Sequence, residues 1–96
     1  MSINDLLSEK RDEILRIAER HGAYDVRVFG SVSRGEAGPD SDIDILVKVG
    51  PNPSSWFPAG LVLDLEELLG RKVDVVTEGG IYWLLRRRIL KEAKPL

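Results

Sequence analysis

Three short runs rich in branched and aromatic residues punctuate the chain, at residues 24–29, 42–47 and 71–76. Segments with apolar residues at helical spacing lie before, between and after them. This alternation constrains the fold more than any other feature. A chain that passes repeatedly from period 2 to period 3.6 builds a sheet covered by helices. Its 96 residues leave room for one small domain, residues 1–96, with no separate substrate domain. The expectation is a small α/β layer structure with a three-stranded sheet, in the order α, β, α, β, α, β, α.

The first helix is expected over residues 2–21. Ser2 and Asp5 form a capping pair, Ile3, Leu6, Leu7, Ile14, Ile17 and Ala18 recur at helical spacing, and Gly22 supplies the stop. His21 reads as a helix-end residue rather than a ligand. A short helix is expected over residues 31–37, a turn at Gly38-Pro39, and a loop over residues 50–58, which contain Pro51, Pro53 and Pro58. A helix over residues 59–69 ends at Gly70. The last helix, residues 81–93, carries Ile81, Leu84, Leu85 and Ile89 as its apolar stripe and stops at Pro95. At least one of Tyr82 and Trp83 is expected to pack inward. Trp56 and Phe57 either cover the core or form an exposed docking patch.

The second strand raises a chemical question. In DIDILV, residues 42–47, Asp42, Asp44 and Leu46 share one face and Ile43, Ile45 and Val47 the other. Two like charges on one face raise each other's pKa unless a cation intervenes. Asp74, in the middle of RKVDVV, is a third candidate, because its flanking valines face the opposite way. If the strands are neighbours, the three carboxylates can meet. The chain has no cysteine and one histidine. A metal would therefore be held by oxygen atoms, which favours Mg²⁺, Mn²⁺ or Ca²⁺. Each aspartate also has a plainer reading: Asp42 and Asp40 as turn caps, Asp74 as a solvent-facing residue. Asp44, inside the strand, is the hardest to explain that way.

Gly30 and Ser31 follow the first strand. Glycine there lets the backbone approach a ligand closely, and a helix beginning at Ser31 would aim its N–H groups at an anion. Ahead of a carboxylate pair, this reads as a phosphate cradle. Arg34 is a lesser candidate for a phosphate contact, and Lys48 a weaker one still.

A net charge of −2 does not suggest a general nucleic-acid binder. The charge is uneven, however: Arg86, Arg87, Arg88, Lys91 and Lys94 stand against a single Glu92 near the end. That face is either solvated or meets an acidic partner surface or RNA. The apolar runs are short for a membrane span, and the start does not read as a secretory signal, so the cytoplasm is the default expectation.

The string FGSVSRGEAGPDSDIDILV, residues 29–47, resembles the signature of the polymerase-beta-like nucleotidyltransferase superfamily: a Gly-Ser turn, a short helix, then Asp-x-Asp on a strand. LEELLGRKVDVVT and the ending RRRILKEAKPL are similar to the minimal nucleotidyltransferases, the antitoxins paired with HEPN-domain ribonucleases in toxin–antitoxin modules. The resemblance covers nearly the whole chain and implies a mixed sheet flanked by helices. It implies Asp42 and Asp44 as ligands of two Mg²⁺ ions with Asp74 as the third carboxylate, and Gly30 and Ser31 as holders of the nucleotide phosphates. It implies AMP transfer from ATP to a hydroxyl, a tyrosine of the HEPN toxin, in a hetero-oligomer with that partner. No membrane and no sequence-specific nucleic acid is expected as a partner. SSWFPAG, residues 54–60, departs from the group's usual polar or aliphatic stretch. The alternatives are a catalytically idle subunit that neutralises a partner by occlusion, or transfer to a small molecule or an RNA end. The short chain speaks against the last, since no domain remains to form an acceptor pocket.

Overall fold

The structure, a computed structural model, describes residues 2–38 and 40–96. The expected N-terminal helix forms as two pieces, α1 (Ile3–Glu9) and α2 (Arg11–Arg20), with the break at Lys10. Ser2 caps α1 by accepting the Asp5 N–H at 3.1 Å. Ile3 and Leu7 anchor α1, and Ile14, Ile17 and Ala18 anchor α2. Between them, Glu9 to Glu13 is an unbroken charged run with no apolar residue to hold one straight helix to the core.

Strand β1 (Ala23–Phe29) leads directly into α3 (Gly30–Ser33), a single turn. The helix expected to reach residue 37 is cut short because Gly35 takes a positive φ of 72°, which unwinds it. The turn expected at Gly38-Pro39 rests on Pro39, outside the described residues; beside it, Ser41 Oγ accepts the Gly38 N–H at 2.8 Å. Strand β2 (Ile43–Val49), α4 (Ala59–Leu69) and β3 (Val73–Thr77) follow. A 3₁₀ turn (Glu78–Gly80) leads to α5 (Trp83–Glu92), and Lys94–Pro95 forms β4.

Among the described residues the sheet has four strands, in the order β3-β2-β1-β4. The sequence reading missed β4, which is two residues long and pairs antiparallel with Arg27 and Val28. Strands β1 and β2 pair antiparallel, and β2 and β3 parallel. The parallel pair needs a crossover, and α4 provides it. Gly70 ends α4 with φ of 63°, as a C-terminal glycine does.

The sheet divides the molecule. Val26, Val28, Ile43, Ile45, Val47, Val73 and Val75 pack in one core with residues from α1, α2 and α4, including Ile14, Leu61 and Leu65. On the opposite face Phe29 and Leu46 form a smaller cluster with Ile81, joined by Ile89, Leu90 and Ala93. Part of the stripe expected on α5 is therefore corrected: Leu84 and Leu85 are exposed. So are Tyr82 and Trp83, the latter 73% exposed, against the expectation that one packs inward. Ile81 takes the inward position, so the first turn of α5 faces out.

The loop after β2 is tied to the helical layer through His21, which caps the end of α2. His21 Nδ1 lies 2.7 Å from Ser54 Oγ, and Nε2 lies 2.7 Å from Asp64 Oδ2. Phe57 packs against the main core, while Trp56 is 79% exposed. None of the described helices is long and apolar enough to cross a membrane.

Candidate active site

The face of the sheet that carries the small cluster also carries the acids. Asp44 lies second in β2, in register with Asp74 of β3 on one side and Phe29 of β1 on the other. Residues aligned across a parallel ladder turn their side chains to the same face. Asp44 and Asp74 are therefore side by side. Asp42, immediately ahead of β2, continues the same alternation. All three expected acids share one face, opposite Ile43, Ile45, Val73 and Val75 of the main core.

Their environments differ. Asp42 and Asp74 are exposed, and Asp44 is half-buried between them. Burial holds the Asp44 carboxyl above the usual carboxylate range, and the negative charges of Asp74 and Asp42 raise it further, with Arg34 opposing. The same like-charge conflict is what a cation would relieve. The donors are hard carboxylate oxygens, the chemistry that Mg²⁺ or Mn²⁺ requires. Among the described residues no group of three or more acidic or histidine side chains is already drawn together tightly enough to enclose an ion.

Gly30 sits against this group. Its φ is 70°, and a methyl group in place of its hydrogen would collide with Asp44 Oδ2. The positive φ favours glycine here, and any side chain would also push the Asp44 carboxylate aside. Ser31 follows it in α3, half-buried. Arg34 ends the turn but is not a free cation: its Nε donates to Glu36 Oε2 at 3.0 Å and its Nη1 to Glu92 Oε1 at 2.9 Å. Lys48 belongs to the other end of β2, where it pairs with Asp25 at 3.4 Å.

Glu92 and Arg88 are the residues that sequence reasoning did not place here. The Glu92 carboxylate accepts from the Gly30 N–H at 3.2 Å, from Arg34, and from Arg88 Nε at 3.3 Å. The available signal was the four-residue spacing of Arg88 and Glu92 on a helix, together with Glu92 being the lone acid in a basic segment. With Phe29, these residues border a groove of about 190 Å³ next to Gly30.

Residues 11–96 match the model of the nucleotidyltransferase domain. The chain is similar to the protein adenylyltransferase MntA of Thermococcus cleftensis, with 38% identity over 90 residues, covering 94% of this chain and 88% of that protein. It is also similar to a solved structure described provisionally as a minimal nucleotidyltransferase: 48% identity, TM-score 0.84, covering 96% of this chain and 94% of the other. A crystal structure of a toxin–antitoxin complex with AMP-PNP shares the fold at 23% identity, TM-score 0.74, covering 88% of this chain and 69% of that one.

Proposed function

The chain belongs to the nucleotidyltransferase domain family, and from that premise we propose that it transfers AMP from ATP to a hydroxyl of a partner protein. The partner on this reading is a HEPN-type toxin, the acceptor one of its tyrosines, and the chain its antitoxin, held in a hetero-oligomer. The observation that carries the proposal is the register of Asp44 with Asp74 across the parallel pair, with Gly30 pressed against Asp44. The name of the Thermococcus cleftensis relative supports protein as the acceptor class, and the toxin–antitoxin complex with AMP-PNP supports both the nucleotide and the kind of partner.

Asp42, Asp44 and Asp74 would hold Mg²⁺, two ions by the family resemblance, which when bound would offset phosphate charge and polarise the acceptor hydroxyl. Asp74 is exposed, so an incoming hydroxyl can reach its carboxylate, and it accepts that proton as the hydroxyl oxygen bonds to the α-phosphorus. The bond from that phosphorus to the bridging oxygen breaks, and pyrophosphate leaves. Gly30 and Ser31 position the phosphates beyond the α-position through backbone N–H groups and the Ser31 hydroxyl. Asp42 and Asp74 are exposed, and that openness favours a macromolecular acceptor, which brings its own surface, over a small molecule; the hollow beside Asp42, lined also by Ser41 and Lys72, is only about 220 Å³.

The test is mass spectrometry of a HEPN toxin co-expressed with the chain. AMP additions on a tyrosine are expected with the wild type, and none with Asp42→Asn or Asp44→Asn, both variants remaining folded by circular dichroism. AMP transfer that survives either substitution refutes the mechanism.

A further inference from the structure

Glu92 gathers three donors on one carboxylate, two of them from cationic side chains. The Gly30 N–H reaches Oε2 at 3.2 Å, while Arg34 Nη1 and Arg88 Nε converge on Oε1 at 2.9 and 3.3 Å. The side chain is 17% exposed. Burial pushes its carboxyl up, but the hydrogen bonds from Arg34, Arg88 and the Gly30 N–H outweigh that and hold it below the usual range. Two guanidinium groups and a backbone N–H converging on one anion are the donors that recognise phosphate oxygens. They border the groove next to the Asp44 carboxylate, where the phosphates of a bound nucleotide would lie.

We propose that Glu92 occupies the seat of the nucleotide's polyphosphate tail, and that Arg88 joins Arg34 in binding that tail once Glu92 is displaced. The inference rests on the nucleotidyltransferase reading above and adds a residue, Arg88, and a competition to it. A polyphosphate brings more charge and more acceptor oxygens than a single carboxylate, so it wins the donors when present. Displacement is also structurally cheap. None of the residues of α5 is fully buried, and Glu92 can leave by rotating its own side chain. Without nucleotide, the internal carboxylate keeps Arg34, Arg88 and the Gly30 N–H paired and arranged. The state competent to bind nucleotide is then a fraction of the population, and apparent affinity is lowered by that fraction.

Calorimetric titration of the full chain with Mg²⁺ and either ATP or inorganic tripolyphosphate tests this. Glu92→Gln, which removes the competing charge, should bind both about tenfold more tightly than the wild type. Arg88→Ala should bind both about fivefold or more weakly, as expected for the loss of one charge-assisted contact. Wild-type protein provides a check that does not depend on variant folding: tripolyphosphate should shift the Glu92 carboxylate ¹³C signal toward that of a free glutamate and move the Gly30 amide signal. If ATP binds the wild type but Glu92→Gln binds equally or less well, or the Glu92 signal stays put at saturation, the competition is refuted and the nucleotidyltransferase reading stands. Unchanged affinity in Arg88→Ala removes Arg88 from the tail site. If neither ligand binds the wild type or Glu92→Gln, both readings fall.

Discussion

At Asp44, burial and two neighbouring negative charges act together against ionisation. The consequence for stability has a definite sign. A carboxyl whose pKa is raised on folding favours the folded state while protonated, and that contribution is lost as pH rises through its folded value. At neutral pH, in the presence of a chelator, ionised Asp44 therefore opposes folding. Asp44→Asn, which the proposed mechanism makes inactive in transfer, should unfold at a higher temperature than the wild type under those conditions. The advantage should fade as pH falls through the raised folded value toward the usual carboxylate range. Scanning calorimetry at pH 7 and pH 4 checks this, and a lower midpoint for the variant at pH 7 would contradict it. The pairing of Asp42 with Asp44 was legible from period 2 alone. The approach of Gly30 to Asp44 was legible only as a glycine after a strand, because the contact depends on β1 and β2 being adjacent and antiparallel. Arg34 was read as a candidate phosphate ligand, and the sequence did not show that Glu36 and Glu92 already hold it.

At the level of elements, the strands were legible where alternation was clean. Val73 and Val75 against Asp74, and Ile43 and Ile45 against Asp44, set the faces of β3 and β2 before any pairing was known. The register that puts Asp44 beside Asp74 was not legible, since it is fixed by how α4 packs and returns the chain. Short elements were lost for the same reason. Two residues of β4 make no periodic signal, and the break at Lys10 arises from an absence of anchors rather than from a breaker residue. His21 was correctly placed at a helix end, but its links to Ser54 and Asp64 span 33 and 43 positions in sequence. Those links join α2, the loop after β2 and α4. His21→Ala should cost roughly 1–3 kcal/mol of stability by leaving partly buried partners unsatisfied. It should also expose residues 50–58 to proteases while sparing nucleotide binding, since the carboxylates lie across the sheet. Chemical denaturation and limited proteolysis measure the two effects separately.

At the scale of the whole molecule, the chain is a slab of 35 × 31 × 18 Å, helices thick on one face and thinly covered on the other. At the end of α5 opposite Glu92, Tyr82, Trp83 and Leu84 are exposed, close in sequence to Arg86 and Arg87. If the proposed toxin partner docks here, replacing both arginines with glutamate should weaken its association about tenfold or more, mainly through slower encounter at low salt. ATP affinity should be unchanged, because neither arginine contacts Glu92. Surface plasmon resonance across salt concentrations reads this out, and unaltered association would remove the basic face from the interface.

The openness around Asp42 and Asp74 carries its own consequence. Among the described residues nothing roofs these two side chains, so bulk solvent has the same access to a bound nucleotide as any alcohol does. On the proposed reading, preference for transfer over hydrolysis comes from a protein acceptor whose own surface closes over the carboxylates and shuts out the solvent. On that reading the chain by itself is half of a reaction vessel, and its target supplies the lid.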